Sequence, residues 1–257
     1  MIDTHTHLYD EAFAEDYAGA LDRASEAGVE HLVFPGIDSS VHERMTEAAA
    51  RSGGRASVAT GLHPTSVKED WKRELDFVEN RLAEGGWCAV GEIGLDRHWS
   101  DEFIHEQEEA FLTQMRWASE AGLPVIIHVR EAFDTVFRIM DRLAEEGRRM
   151  KGVFHAFSGS IETYRRIRTY GNFRVGIGGV LTYKNAGIAG TVKEIPLEDI
   201  VLETDSPWLT PVPFRGKRNE SAYLRIIAER LADIKGLSLE EVDRVTTDNA
   251  KSLFNIK

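Results

Sequence analysis

The 257-residue chain has a single cysteine, Cys88, so no internal disulfide framework holds it together. Cys88 lies beside Ala89 and Val90 and reads as a small buried hydrophobe. No apolar run approaches the roughly 18 residues that a membrane helix needs. The N-terminus has no basic region followed by an apolar stretch, so no signal peptide is visible, and a cytoplasmic location without membrane contact is expected. Positive charge is scarce, with 31 Lys and Arg against 43 Asp and Glu and a net charge of −12. That balance argues against a protein that coats duplex nucleic acid, which presents a basic face. It does not exclude a nuclease, because bound divalent cations offset acidic charge locally and hold phosphates themselves. Part of the acidity is solvated helix surface, as at Glu106–Glu109 and Glu145–Glu146. Also missing are a low-complexity linker, which leaves one domain over residues 1–257, and a G-x-G-x-x-G after any strand, which leaves a dinucleotide fold unsupported. Gly176-Ile-Gly-Gly179 comes nearest to that motif and reads as a tight turn.

What the chain does contain is a regular alternation. Short apolar, often β-branched segments lie around residues 2–7, 30–35, 57–61, 88–92, 124–128, 151–155, 173–177 and 200–204, the pattern of strands covered on both faces. Helical spacing separates them: Phe13, Tyr17 and Leu21; Trp71, Leu75, Val78 and Leu82; Phe133, Phe137, Met140 and Ala144. Ser238-Leu-Glu-Glu241 reads as a capping box that opens a C-terminal helix. Eight such units over a chain of this length predict an α/β fold, a closed parallel (β/α)8 barrel of the TIM type. In that fold the active site lies at the C-terminal ends of the strands.

Chemically loaded residues stand where that face would be. His5 and His7, Glu92, His128, His155 and Asp205 each fall at the downstream end of one of five apolar runs. His5 and His7 are two apart, so strand period turns both to one side, about 6.6 Å apart along the backbone. Two imidazoles at that spacing can converge on one ion with bonds of about 2.1 Å. Glu92, flanked by glycines, could approach a metal closely and bridge two; its alternative is a buried carboxylate paired with an Arg. A buried carboxylate needs some cation. His128 or His155 alone would read as a core histidine, but together and in register with His5, His7 and Glu92 they read as ligands. The set of nitrogen and oxygen donors predicts two divalent ions per chain. Zn, Mn or Fe suit it best, and Mg prefers oxygen ligands.

Around this set, period two puts Glu203 on the side of Asp205, one layer lower, where it would orient a ligand. His63 ends the third strand and would touch substrate or a water on the metal, or simply cap the chain. Arg130, two beyond His128, could clamp a phosphate oxygen. The long irregular stretch Thr210–Arg218 follows the eighth strand and carries Arg215, Lys217 and Arg218, three cations in four residues suited to an anionic substrate. His31, His42, His98 and His105 fit no strand-end pattern.

Over essentially its whole length the chain resembles the TatD family of metal-dependent deoxyribonucleases, within the amidohydrolase-like superfamily. The resemblance runs through Ile2-Asp-Thr-His-Thr-His-Leu8, Gly61-Leu-His-Pro64, Gly91-Glu-Ile-Gly-Leu-Asp96 and Leu123-Pro-Val-Ile-Ile-His-Val-Arg130. It continues through His155-Ala-Phe-Ser-Gly159, Leu202-Glu-Thr-Asp-Ser-Pro207 and Arg215-Gly-Lys-Arg-Asn-Glu220. It implies a TIM-like barrel and a two-metal site. His5, His7, Glu92 and Asp205 would hold one ion, and Glu92, His128 and His155 the other. Asp205 would also orient or deprotonate the attacking water, with Mg supporting catalysis. Thr65, Arg97 and Ser221 stand where the family more often has His, an aromatic and Pro.

The reading from sequence is therefore a phosphodiesterase that cleaves DNA, trimming single-stranded or frayed ends, with 3′-to-5′ polarity implied by the resemblance and no obligate protein partner evident. One alternative is a hydrolase of a carbonyl substrate such as an amide, lactone or aminoacyl ester. Another is a metal-stabilised binding protein without turnover. The Arg-Gly-Lys-Arg loop favours phosphate.

Overall fold

A strand that is apolar on both faces must be covered on both, and the eight apolar segments achieve this in one parallel sheet taken in chain order. The computed structural model describes residues 1–257. Its strands are β1 (Ile2–Asp3), β2 (His31–Phe34), β3 (Ala56–Thr60), β4 (Ala89–Asp96), β5 (Val125–Arg130), β6 (Met150–Phe154), β7 (Gly171–Ile177) and β8 (Ile200–Leu202). Helices alternate with them: α1 (Tyr17–Glu26), α2 (Ser39–Arg51), α3 (Trp71–Glu84), α4 (Ile104–Ala121), α5 (Phe133–Glu145), α6 (Ile161–Ile167), α7 (Ile188–Glu194) and α8 (Leu224–Lys235). The ring closes between β8 and β1, where Thr4 N donates to Leu202 O at 3.0 Å and Thr6 bridges Ser206 in parallel. No helix is long and apolar enough to cross a membrane.

Period two sorts the side chains. Val33 of β2 turns into the barrel, while Leu32 and Phe34 pack outward on the helices. In the same way Ile126 points in between Val125 and Ile127. A ninth helix, α9 (Leu239–Phe254), is capped by the Ser238 hydroxyl, which accepts from Glu241 N. It seals the base: Leu253 and Phe254 join Val33, Ala59, Ala89, Ile126, Val153 and Val201 in one buried cluster. The lower half of the barrel is thus dry and apolar, and only the upper half is free for polar chemistry. Cys88 sits at the edge of this floor, half-buried as a residue, and desolvation of its thiol pushes it up to about 12.

Four elements differ at their boundaries from the sequence reading. Regular pairing in β1 stops at Asp3, and in β8 at Leu202, because the buried Asp3 carboxylate captures the Thr204 N–H at 2.9 Å and its hydroxyl at 2.7 Å. β4, expected to end at Glu92, runs on to Asp96 along β5, with a register shift between Val90 and Ile93. Phe13 lies in a short 3-10 turn (Glu11–Phe13) ahead of α1 rather than on the helix itself.

Candidate active site

The register shift in β4 is what aims Glu92. Val90 and Ile93 both pack outward in the helix-covered core although they are three apart, so one residue is extra. A bulge of this kind redirects a side chain, and Glu92 turns inward where strict alternation would have sent it out. The strand can run on only because Gly94, at φ +150, has no side chain: a Cβ there would lie 1.9 Å from the His128 carbonyl oxygen. His128 and His155 reach the same interior by ordinary alternation, two residues beyond Ile126 and Val153.

The six residues of the expected ligand set converge. Glu92 Oε2 lies 3.0 Å from His5 Nε2 and 3.9 Å from His7 Nε2. Asp205 Oδ1 is 3.6 Å from each of those nitrogens. Glu92 Oε1 faces the other way, 2.7 Å from His155 Nε2 and 2.9 Å from His128 Nδ1. His63 joins this second group, its Nε2 3.2 Å from the same oxygen. One carboxylate therefore serves two nests of imidazole nitrogens. The donors fit metal ions on a specific ground: the ion-pair contacts of buried Glu92 are all with histidines, and no Arg or Lys neutralises it or Asp205. This disposes of the Arg-paired alternative. A carboxylate in such surroundings requires a cation, and imidazole with carboxylate is a donor set for divalent metal.

The electrostatics follow from that crowding. Burial pushes Glu92 upward, but His155, His63 and His5 outweigh it and hold the carboxyl well below its usual range. Burial lowers His155 too, yet Glu92, Glu203 and Asp205 carry it up to about 10. His5 goes the opposite way, to about 4, because burial and the neighbouring His155 charge both disfavour a proton. Glu203 is pushed up to about 8 by burial. Its Oε1 accepts from Ala156 N at 2.5 Å and stands 3.8 Å from His155 Nδ1, so it braces the backbone beyond His155 and makes no hydrogen bond to the ring. A Cβ at Gly176 would come within 2.0 Å of Glu203 Oε2, so the glycine is what leaves room for that side chain.

Several residues with no assigned role in the sequence reading hold this arrangement. Asp96 Oδ2 lies 2.9 Å from His128 Nε2, and Tyr9 OH lies 2.8 Å from His7 Nδ1 while donating to Pro35 O at 2.5 Å. Each partner ties down the ring nitrogen turned away from the cluster. The signal for Asp96 was period two, four beyond Glu92 on the same strand, whereas Tyr9 lies in a turn after β1 and had no such signal. Asp205 adopts a left-handed backbone at φ 55, which costs about 1–3 kcal/mol for a non-glycine residue. The surrounding turn enforces it. Asp205 N donates to His5 O, and the buried Asn219 amide donates to Thr204 O at 2.8 Å and Trp208 O at 2.6 Å. Nothing local in the sequence announces that role for Asn219.

The cluster opens into a cavity of about 370 Å³ whose walls include His63, Arg130, Trp99 and Trp208. Arg130 is thus placed with the ligands, its guanidinium 5.4 Å from the Trp99 ring. Arg215, Lys217 and Arg218 do not line this cavity. Arg215 lies over Tyr183 and Lys217 over Phe214, both exposed. Arg218 is engaged within the protein: it donates to Ala12 O and Asp16 Oδ2 and stacks on Phe13 at 4.3 Å. His31 and His98 pair with Ser57 and Glu131 outside the cluster, and His42 packs on Phe77 and Trp87.

A family model described as TatD related DNase matches residues 2–255. The uncharacterized metal-dependent hydrolase YabD of Bacillus subtilis is 38% identical over 258 residues, spanning 100% of this chain and 99% of that protein. The uncharacterized metal-dependent hydrolase YcfH of Escherichia coli is 31% identical over 264 residues, spanning 100% and 96%. Among solved structures, YJJV, a TatD homologue from Escherichia coli K12, superposes with a TM-score of 0.92 at 29% identity, covering 100% of this chain and 98% of its own.

Proposed function

We propose that this chain, which belongs to the TatD-related DNase family of metal-dependent hydrolases, cleaves phosphodiester bonds of DNA from single-stranded ends in the 3′-to-5′ direction. The observation that carries the reading is the split of Glu92, one oxygen toward His5 and His7 and the other toward His128 and His155. That arrangement supports two ions sharing one carboxylate, with Asp205 completing the first group and His63 standing beside the second. Divalent ions held there lower the pKa of a water toward neutrality and neutralise phosphoryl oxygens.

The protein's own groups have the following parts. Asp205 faces the cavity with Oδ1 3.6 Å from both His5 Nε2 and His7 Nε2 and no contact with His128 or His155, so it orients the attacking water and takes its proton. The water oxygen bonds to phosphorus as the P–O3′ bond breaks, and the released 3′-oxygen takes up a proton from solvent. Arg130 lines the same cavity and neutralises a non-bridging oxygen. Arg215 and Lys217, exposed on the loop after β8, meet phosphates outside the cavity. A protein of net charge −12 whose one run of clustered cations is the short loop after β8 grips a few phosphates at a strand end and does not follow a long duplex, whose affinity grows with the number of phosphates neutralised.

The test is to follow end-labelled single strands, duplexes and closed circles beside a small ester, with Mg²⁺ or Mn²⁺ supplied and then chelated. Single strands should shorten from the 3′ end in the metal-supplied arm only. Equal cutting of closed circles would exclude the exonuclease reading. Ester turnover with no cutting of any DNA would assign the site to carbonyl chemistry.

A further inference from the structure

Large apolar side chains are exposed at three places in this protein: Trp99 at 73%, Trp208 at 51% and Val212 at 44%. All three lie on the loops that follow β4 and β8, on the face that carries the metal-ligand cluster. In a closed ring of eight strands taken in order, β4 and β8 stand opposite one another. The two indoles therefore rise from opposite rims of one cavity, and both line it. Leaving an indole in water forgoes most of the stabilisation its burial would give, and exposed apolar surface around a cleft marks a contact for something else.

The surroundings of each ring say what that contact is. Trp208 meets His7 edge-on at 5.0 Å, which places it beside the His5, His7 and Asp205 group. Trp99 flanks the other side and carries the Arg130 guanidinium at 5.4 Å. Trp99 is also, with Thr65 and Asp96, a wall shared with a second cavity of about 520 Å³ lined further by Phe103, Lys68, Glu69 and Glu102. A groove thus runs from the cluster past Trp99 into that second space. Flat rings along a groove, one of them carrying a guanidinium, match an unpaired strand, whose bases offer free faces at intervals set by its phosphates. A duplex offers no such faces, because its bases are already stacked on one another.

We propose that Trp99 and Trp208 are stacking platforms for two unpaired bases flanking the scissile phosphate. On this assignment the selection of single strands over duplex is made by the two indoles, while the exposed cations of the β8 loop add affinity without sorting the two. The proposal rests on the DNA-cleaving reading above.

The experiment compares an intact single strand with the same strand made abasic at its two 3′-terminal positions. KM and kcat are measured for the wild type, for Trp99→Ala and Trp208→Ala, and for the Phe replacements, with metal content determined for each. For the wild type, KM should be lower on the intact strand by roughly 5- to 100-fold for each stacked base, the range that base–aromatic stacking covers. In either Ala variant that ratio should fall by the factor of one base, and Phe should restore part of it. Because Trp208 touches His7, Trp208→Phe keeps a ring there if Trp208→Ala loses metal. A wild type that cuts both strands with equal KM would end the stacking assignment and leave the nuclease reading standing. So would Ala variants that weaken both strands by the same factor. A wild type that cuts neither strand would remove the nuclease reading, and the platforms with it.

Discussion

The Nε2 of His128 lies 2.9 Å from Oδ2 of Asp96, and this contact turns the other ring nitrogen toward Glu92, also at 2.9 Å. A carboxylate behind a ligating imidazole fixes the ring and raises its basicity. Asp96→Asn keeps the shape and removes the charge. On the two-ion reading proposed above, it should weaken one ion by about 10- to 100-fold and leave the other in place. Competition with a chelator, read as ions retained per chain, measures this. Unchanged retention of both ions would show that Asp96 does not support His128.

Asp205 touches both His5 and His7 but also faces the cavity, so its role in chemistry should exceed its role in holding metal. Asp205→Asn should lower turnover by about 10²-fold or more with metal content preserved, the scale of a lost general base. If turnover persists at the wild-type level, the proton goes elsewhere, and His63, 3.2 Å from Glu92, is the next group to replace.

The three cations of the β8 loop should separate into two classes. Arg215 and Lys217 are exposed, and replacing both by Ala should weaken DNA binding and flatten its dependence on salt by about one unit of log–log slope for each phosphate no longer neutralised. Arg218 is tied to Asp16, Ala12 and Phe13, so Arg218→Ala should lower the unfolding midpoint and leave the salt slope close to that of the wild type. Binding titrations at several salt concentrations, run beside urea unfolding, distinguish the two. An identical salt response from all three would return Arg218 to the substrate.

Gly176 should resist substitution because its missing side chain is the space Glu203 occupies. Gly176→Ala should destabilise the fold by roughly 1–3 kcal/mol, the usual range for an overpacked interior. Adding Glu203→Ala should recover part of that loss, since neighbours in contact do not act additively. Denaturant midpoints for the two single variants and the double variant give the answer; strictly additive losses would mean that the clash is relieved some other way.

Burial raises the Cys88 thiol from 9.0 to about 12, so at pH 8 it is held neutral and should react slowly with alkylating reagents until the protein unfolds. The sign for stability follows. Above pH 9 the unfolded chain loses this proton while the folded chain keeps it, so the contribution of Cys88 falls as pH rises from 9 toward 12. Cys88→Ala should therefore narrow the loss of stability over that interval relative to the wild type. Labelling as fast in the folded as in the unfolded protein would place the thiol in open solvent.

Much of this site could be read from the chain because alternation in a strand is local. Once Ile126 and Val153 face inward, His128 and His155 must do so too, and the apolar runs that carry them mark both the strand and its downstream end. The same rule fails at Glu92. Counting by twos from Ala89, an inward residue, sends Glu92 out toward the helices, and only the extra residue between Val90 and Ile93 brings it in. That bulge depends on how β4 lies against β5, with Gly94 under the His128 carbonyl, and no property of Val-Gly-Glu-Ile-Gly alone specifies it. Distance in the chain hid the rest. Asp3 holds Thr204 across 201 residues, Asn219 fixes the turn in which Asp205 is strained, and Arg218 is taken up by Asp16 across 202. The sequence by itself determined the barrel and the face on which the chemistry lies, because both follow from periodicity within a few residues, and it marked six candidate ligands by their place at the downstream ends of apolar runs. The tertiary structure decided which oxygen of Glu92 meets which histidines, which cations remain free and where two tryptophans stand exposed, because those depend on contacts between segments that only closure of the ring brings together.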